Sequence, residues 1–529
     1  MKKAIYIGAV SLAMLTGCTK NFDELNSDPG KVTGDLYDPN YLLSKAEFQF
    51  ANTGYRQLLF QSMWTQALSS TFNYYSNGDK YFGSSNLVSY QNSVWEQDYQ
   101  AANYVVQMGK LAQDKGLDNL ANISVIMKVL IMERVTDCYG DVPYSEAFKA
   151  QEGVAQPVYD TQESIYKSML SELDAAVGAL DAGKAKPSAD LLYKGDIGQW
   201  KKFGYSLMLR VAMRLTKVDA ATAKTYAEKA AAGGVFAGTA DNAYVLSDNS
   251  TGNGNSTSSS LSLTDDFREV RWGKVMIDFL RANKDPRLTV IGEVSDDGLA
   301  ANNNPALPGD RDSSIQIGMP NGYDLKGGPQ DISHAPGYPG GTGSGADFAA
   351  LGKYSRPTTA IYRNLNGPNF IMSYAETELL LAEAAARGWN VGGTASGHYA
   401  NGVMAAMTSI ATFNASVGAI STTTAQAYVT AHPLNTSSLE ASLKMINEQY
   451  WAATATLFNF IETWNNWKRS GYPALTPVNY PGNFSGGAIP RRIPYHSGEP
   501  ANNPTGYQDA VTRMGGDNFT VRTWWDKQP

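Results

Sequence analysis

The chain has 529 residues, of which 43% are hydrophobic and 18% charged, and this composition excludes an extensively disordered protein. The 43 basic and 50 acidic residues give a net charge of −7, and no run of Lys and Arg interrupts this acidic balance. Nucleic acid is therefore excluded as an expected partner, since phosphate backbones are bound by basic surfaces.

The chain begins with a segment typical of an export signal. Met1-Lys2-Lys3 is a short positive start, and an apolar stretch of about a dozen residues follows, too short to span a bilayer. The stretch ends in Leu15-Thr16-Gly17-Cys18, which resembles the lipobox of bacterial lipoproteins, where the cysteine becomes the lipid-bearing first residue. Residues 1–17 are thus predicted to be a lipoprotein signal peptide and Cys18 the lipidation site. The alternative is an ordinary cleavage site that happens to precede a cysteine.

The segment 18–40 is rich in Asn, Asp, Pro and Gly, and this composition predicts a lipidated tether leading into a ligand-binding domain over 41–529. Its Asp23-Glu24 pair is similar to the acidic export cue of Bacteroidetes surface lipoproteins. No later run of apolar residues has the length of a membrane span. We therefore expect attachment to a membrane through the lipid anchor only, and the acidic cue is typical of a body exposed at the cell exterior.

Helical periodicity predicts a mainly all-α fold. In 160–181, the apolar residues Tyr166, Leu170, Leu173 and Val177 recur every three or four positions, which lays one stripe along a helix. The segment that begins at Met372 repeats this pattern. Further helices are predicted at about 41–68, 92–113, 119–136, 196–216, 219–232, 272–283, 398–413 and 437–468.

Three stretches lack any such period. They are rich in Gly, Pro, Ser and Asn, and we predict loop-rich insertions at about 233–271, 291–358 and 471–523. Long connections of this kind usually carry function or fold over their neighbours. Antiparallel helix pairs would resemble tetratricopeptide (TPR) repeats in architecture, but the residues show no repeat of fixed period.

Several separated motifs form one pattern along nearly the whole chain. They are Asn21-Phe22-Asp23-Glu24-Leu25-Asn26-Ser27-Asp28-Pro29, then Trp95 with Tyr99 and Asn103, the segments 134–147, 374–384 and 464–473, Arg492-Ile493-Pro494-Tyr495, Asn502-Asn503-Pro504, and the final Trp524-Trp525-Asp526. In their order and spacing they resemble the SusD/RagB family of Bacteroidetes nutrient-binding outer-membrane lipoproteins. The opening motif and Asn465-Asn466 are closer to a second SusD-like subfamily than to the starch-binding branch.

The resemblance implies a SusD-like fold, in which TPR-like helix pairs are combined with a long irregular, loop-rich region. It also implies a role as the surface lid of a SusC-like TonB-dependent transporter. Members of the family capture glycans, and in some cases peptides, and pass them to the transporter barrel. They are not known as enzymes, and the resemblance implies no cofactor.

Two motifs favour a structural role. Gly140-Asp141-Val142-Pro143-Tyr144 follows a nearly all-apolar helix, so we expect a buried turn in which the glycine has positive φ. Cys138 has no neighbouring His, which favours an inert buried thiol over a nucleophile.

Polar clusters give no sign of catalysis or metal binding. The acidic residues Glu376, Glu378 and Glu383 share one predicted helix, but offsets of two and five do not place them on one face, and we expect a charged helix surface. The four histidines are far apart, and none has metal-ligand spacing, so no metal site is predicted. The four histidines are His334, His398, His432 and His496.

Candidate ligand contacts are aromatic. The pair Asn77-Gly78 is a strong tight-turn signal, so Tyr74, Tyr75, Tyr81 and Phe82 are expected to flank an exposed turn. A pyranose matches such rings, because its C–H groups cover a ring face while its hydroxyls bond polar neighbours. The alternative is that these rings pack onto their own helices. Second candidates are Trp272, Tyr323 and Tyr354, in or near the long loop region.

These observations predict a lipid-anchored protein that binds nutrient oligosaccharides and delivers them to a SusC-like TonB-dependent transporter. One alternative keeps the architecture and changes the ligand to oligopeptides. A second alternative is a surface glycosidase, which would need two carboxylates about 5–10 Å apart in a cleft.

Overall fold

A computed structural model describes residues 37–83, 86–294, 307, 309–340 and 348–527. The leader, Cys18 and most of the tether lie outside these residues. Lipidation of Cys18 and the boundaries 1–17 and 18–40 therefore stay predictions.

Helices dominate the described part of the chain, which confirms the predicted fold class. The helices of nine or more residues are α1 Asn40–Ala51, α2 Asn86–Asp114, α3 Asp118–Tyr139, α4 Gln162–Ala179, α5 Ile197–Arg214, α6 Ala220–Gly233, α7 Lys274–Ala282, α8 Tyr374–Ala386, α9 Ala395–Ser409, α10 Thr422–Ala431, α11 Leu439–Thr456, α12 Phe460–Ser470 and α13 Pro504–Met514. Shorter α-helices span Tyr55–Leu58, Gln61–Trp64, Ser76–Asp79, Ser256–Ser260, Thr264–Glu269, Leu288–Ile291, Thr359–Tyr362 and Glu499–Asn502.

Sequential helices pack in pairs, as in a TPR-like array. The pairs α2 with α3, α5 with α6, α8 with α9 and α11 with α12 make extensive contacts. The predicted stripe on α4 is buried: Tyr166, Leu170 and Leu173 have no exposed surface. The Thr161 side chain caps this helix by accepting from the Ser164 N–H, so the helix begins where its apolar face begins.

Strands are short and occur as antiparallel pairs. They are β1 Leu68–Ser70, β2 Val142–Pro143, β3 Tyr159–Asp160, β4 Ala243–Leu246, β5 Val270–Trp272, β6 Gly292–Glu293, β7 Arg356–Pro357 and β8 Pro368–Met372. The pairings are β1 with β5, β2 with β3, β4 with β8 and β6 with β7. The β1–β5 pair places Leu68 opposite Trp272 and so ties the N-terminal helices to the loop-rich region.

Ion pairs cross the helical core. Arg210 on α5 donates to Glu133 on α3 at 2.6 Å and to Glu376 on α8 at 3.2 Å, and all three side chains are almost fully buried. Glu383, also on α8, accepts from Arg469 on α12 at 2.7 Å. Burial raises the pKa of Glu383, but its arginine partners outweigh this effect and hold the pKa well below its usual range.

The expectation of a charged surface on α8 is therefore wrong. Glu376 and Glu383 are each 1% exposed and Glu378 is 5% exposed, because each carboxylate faces a cation or a histidine on a neighbouring helix. The three carboxylates have different partners: Glu376 pairs with Arg210, Glu378 with His398 and Glu383 with Arg469.

Several boundaries differ from the prediction. The predicted helix 41–68 is broken after Ala51, where Gly54 has φ +53°, and the predicted helix 437–468 is broken at Phe458, which has φ +57°. The loop-rich stretch 471–523 contains α13, which sequence reasoning missed. Within the described ranges, no helix is both long and apolar enough to cross a bilayer.

The two structural motifs have the predicted form. Gly140 lies directly after α3 with φ +89°, and Val142 and Pro143 behind it are buried. Cys138 is fully buried, and burial raises the pKa of its thiol to about 12. A thiol in this state is unreactive at neutral pH.

Candidate functional site

The segment 73–83 does not form the exposed turn that its sequence predicts. Asn77 and Gly78 lie in the buried short helix Ser76–Asp79, and Tyr75 and Tyr81 are fully buried. The local turn signal misleads because this glycine serves close packing: a Cβ at Gly78 would lie 2.3 Å from the Leu59 carbonyl oxygen. The predicted exposure of Tyr75 and Tyr81 is therefore wrong.

Tyr74 is half-buried in a cluster of aromatic rings. Its hydroxyl lies 2.8 Å from that of Tyr90, and its ring packs edge-on against Tyr55 with centroids 5.2 Å apart. The Tyr55 hydroxyl donates in turn to Asp266 at 2.8 Å. These neighbours hold the Tyr74 ring at the surface of the cluster, and its contact with a ligand stays a prediction.

Trp272, another candidate for ligand contact, lies in the core. Its side chain is fully buried, its indole N–H donates to the Ile291 carbonyl at 2.8 Å, and its ring packs against Tyr362 and Phe458. Trp272 is the last residue of β5, and its fully buried ring has no surface to offer a ligand.

The loop-rich region contains a cleft of about 390 Å³ between the segment 320–336 and the segment 476–479. Tyr323 lines this cleft and is half-buried, with its ring packed on a small satellite core that includes Met319 and Tyr354. The lining residues are Gln66, Lys274, Val275, Pro320, Asn321, Gly322, Tyr323, Gln330, Pro336, Thr476, Pro477, Val478 and Asn479.

A second cleft of about 300 Å³ shares Lys274, Pro320 and Pro336 with the first. We call the two lobes together the loop groove. The second lobe is lined by Lys274, Asp278, Arg281, Gln316, Ile317, Gly318, Pro320, Pro336, Gly337 and Tyr354. The structure thus brings two of the predicted candidates, Tyr323 and Tyr354, to one groove.

Tyr354 is buried beside the second lobe. The residue is only 1% exposed, and burial raises its pKa. The hydroxyl oxygen is buried and has no hydrogen-bond partner within the described residues, which is unfavourable for the folded state. Ligand contact by Tyr354 stays a prediction.

A buried carboxylate fixes the floor of the groove. Asp79, which is fully buried, accepts from the Asn321 side chain at 2.7 Å, the Gly322 N–H at 2.9 Å and the Ser70 N–H at 3.1 Å. Its other partners are the Ser69 hydroxyl, which donates at 3.1 Å, and the Lys80 ammonium at 3.1 Å. The segment that sequence analysis selected for ligand contact thus holds the loop that carries Tyr323.

Phe82 lies at the edge of this region. It is half-buried, and its ring contacts Tyr480 edge-on at a centroid distance of 5.8 Å. The Tyr480 hydroxyl donates to Asp324 at 2.6 Å, and burial together with this carboxylate raises the pKa of Tyr480 to about 12. Ligand contact by Phe82 stays a prediction.

The groove lining combines polar side chains with an aromatic ring and includes the cations Lys274 and Arg281. The side chains of Gln330 and Asn479 and the Tyr323 hydroxyl make no hydrogen bond to other described residues, so amide and hydroxyl groups are available beside an aromatic ring. Asp278 is the one carboxylate among the lining residues, and it pairs with Lys274. A pair of free carboxylates for glycoside hydrolysis is thus absent from the described lining.

Sequence reasoning missed the amide residues and the anchor. Asn321, Gln330 and Asn479 stand in loops without a motif, and Asp79 reaches its partners across more than 240 positions of the chain. No local sequence pattern predicts contacts between such distant segments. Among the described residues, no cluster of His, Cys, Asp and Glu could hold a metal ion.

Comparison with known proteins identifies the family. Residues 33–496 match the model of a SusD-like family that is described as starch-binding and associated with the outer membrane. The chain belongs to this SusD-like family. No curated protein matches the sequence significantly.

Solved structures resemble this SusD-like chain along most of its length. A chitin-binding protein is 30% identical with a TM-score of 0.78, covering 93% of this chain and 100% of its own. A Bacteroidetes SusD-like protein is 25% identical with a TM-score of 0.79 and the same coverage. A chitin-binding SusD homologue from Flavobacterium johnsoniae is 26% identical with a TM-score of 0.70, covering 92% of this chain and 99% of its own. The SusD-like fold and the mainly helical architecture are thereby confirmed.

Proposed function

We propose that the loop groove binds a neutral oligosaccharide. The observation that carries this proposal is the combination of a half-buried Tyr323 ring with amide side chains at Gln330 and Asn479 that have no hydrogen-bond partner within the described residues. A pyranose stacks its C–H face on an aromatic ring and exchanges hydrogen bonds with amides, so both kinds of group are used at once.

The comparisons support a glycan as the ligand. The family is described as starch-binding, and two similar solved structures are chitin-binding proteins. Maltooligosaccharides and N-acetylglucosamine oligomers are therefore the first probes for this chain.

The groove favours binding over catalysis. Hydrolysis of a glycosidic bond uses a proton donor and a second carboxylate on the opposite side of the bond. Asp278 is one carboxylate, half of its side chain is exposed, and it is paired with Lys274. We propose a binding protein that releases its ligand unchanged, and a reducing-sugar assay on the purified protein tests this.

We further propose that Cys18 is lipidated and that the protein serves a SusC-like TonB-dependent transporter at the outer face of the outer membrane. The lipobox at 15–18 and the description of the family as outer-membrane associated support this proposal. Mass spectrometry of the mature N-terminus should find acyl chains on Cys18, and the Cys18→Ala variant should leave the membrane fraction. Purification of the tagged protein from outer membranes should recover a barrel transporter.

The binding site is tested by one matched pair of variants. A glycan array identifies a ligand, and calorimetry then compares Tyr323→Ala with Tyr41→Ala, which removes a 63% exposed tyrosine from α1, outside the groove. We expect Tyr323→Ala to weaken binding by at least about tenfold, or about 1.4 kcal/mol, and Tyr41→Ala to leave it unchanged. Equal affinities of Tyr323→Ala and Tyr41→Ala would show that the ligand does not bind in the loop groove.

The oligopeptide alternative is a second outcome of the same assay. If a peptide library gives ligands and the glycan array gives none, the capture function stands and the ligand class is wrong. The comparison of Tyr323→Ala with Tyr41→Ala then shows whether the peptide occupies the same groove.

A further inference from the structure

A further cleft of about 390 Å³ lies outside the loop groove. Its lining residues are entirely different from those of the loop groove. It lies between α2, the segment 143–157 and the short helix Glu499–Asn502. We call it the aromatic cleft. The lining residues that bear on its chemistry are Trp95, Tyr99, Gln100, Phe148, Glu499 and Asn502.

Three rings form one wall of the aromatic cleft. The ring centroids of Trp95 and Tyr99 are 4.7 Å apart, and those of Tyr99 and Phe148 are 6.0 Å apart. Trp95 is 8% exposed and packs against Tyr139 from behind, while the Tyr99 hydroxyl donates to the Pro143 carbonyl at 2.8 Å. The wall is therefore held in place without a ligand.

The backbone at Phe148 is strained. This residue has φ +65°, a left-handed conformation that is unfavourable for a bulky side chain. Such strain is found most often at binding sites, where it holds a side chain in a useful position. Here it accompanies the packing of the Phe148 ring against Tyr99, at the rim of the cleft.

The remaining lining groups are polar and have spare hydrogen-bonding capacity. Glu499 accepts from the Tyr159 hydroxyl through one oxygen at 2.5 Å, which orients the carboxylate and leaves its second oxygen available. Gln100 accepts from Gln49 at 2.9 Å, which leaves its own N–H groups available. The Asn502 side chain makes no hydrogen bond to other described residues.

This combination fits a neutral sugar. Among the described lining residues there is neither Lys nor Arg, and the one carboxylate among them, Glu499, disfavours an anionic ligand. Amides and a carboxylate oxygen bond hydroxyls, and the rings accept a C–H face. We propose that the aromatic cleft is a second binding site for a pyranose unit, separate from the loop groove.

The test uses the full-length protein with Tyr323→Ala, in which binding at the loop groove is expected to be weakened. The probes are maltotriose, the N-acetylglucosamine trimer and a galacturonic acid trimer, titrated by calorimetry to millimolar concentration. We expect residual binding of a neutral trisaccharide and weaker binding of the acidic one. Adding Gln100→Ala and Asn502→Ala should weaken the residual binding at least tenfold, while adding Gln426→Ala, an exposed amide on α10, should not.

Two results would overturn the proposal. One is that no neutral trisaccharide binds to Tyr323→Ala. The other is residual binding whose affinity is unchanged by the substitutions at Gln100 and Asn502. These results are independent of the loop groove, because that groove fails its own test only when Tyr323→Ala binds as tightly as the unaltered chain. Thermal unfolding of each variant confirms that it is folded.

Discussion

Replacing Asp79 by Ala should both destabilise the protein and disorganise the loop groove. The carboxylate is fully buried and holds Asn321, Gly322 and Ser70 through hydrogen bonds of 2.7–3.1 Å. Its removal leaves the Lys80 ammonium, which is 2% exposed, with the Ser70 carbonyl at 2.8 Å as its one remaining partner within the described residues.

The magnitude follows from these contacts. Breaking a buried ion pair by removing one partner costs about 3–5 kcal/mol, because the other charge stays buried and uncompensated. Asp79→Ala should therefore lower the free energy of unfolding by that amount. The double variant with Lys80→Ala removes the orphaned charge and should recover part of the loss. As a control, Glu163→Ala removes a half-exposed i,i+4 partner of Lys167 and should leave the free energy of unfolding nearly unchanged.

The assay is urea unfolding, with the free energy extrapolated to water and the slope compared between variants. Calorimetry with the array-identified ligand follows for variants that remain folded. A free energy of unfolding of Asp79→Ala within about 1 kcal/mol of that of the unaltered chain would refute the role of this carboxylate. This role is also refuted if folded Asp79→Ala binds ligand with unchanged affinity, because the loop that carries Tyr323 would then not depend on this anchor.

Three further predictions concern the core. The pKa of Glu383 is depressed, so its contribution to the free energy of unfolding is present above the unfolded pKa of about 4.3 and is lost as pH falls. The stability deficit of Glu383→Gln should therefore shrink from pH 7 to pH 3. Urea titrations at each pH will measure this deficit. With Cys18→Ala, the Cys138 thiol should react with a thiol reagent only after unfolding, and rapid reaction of folded protein would contradict its burial. Arg210→Met leaves two buried glutamates unpaired and should cost about 3–5 kcal/mol in urea unfolding, whereas a loss under 1 kcal/mol would show that the network contributes little.

The helices were predictable because their apolar stripes repeat locally. The breaks inside 41–68 and 437–468 were not, because Gly54 and Phe458 turn the chain for reasons of tertiary packing. The helix α13 was missed because Gly, Pro and Asn surround it, although Asn503 caps it by accepting from the Gly506 N–H.

The candidate site was predictable only in part. Tyr323 was selected because it stands in a long loop, and the structure places it in the groove. The stronger signal, Asn77-Gly78, misled because a turn dipeptide does not report whether the turn is covered. The residues that supply amides and the Asp79 anchor meet through contacts between distant segments, which no local pattern encodes.

A crystal structure of the protein with its array-identified oligosaccharide tests the central claim most directly. We predict a pyranose stacked on Tyr323, with hydrogen bonds to Gln330 or Asn479. A ligand bound instead on the Tyr74 cluster, with the loop groove containing only solvent, would contradict it.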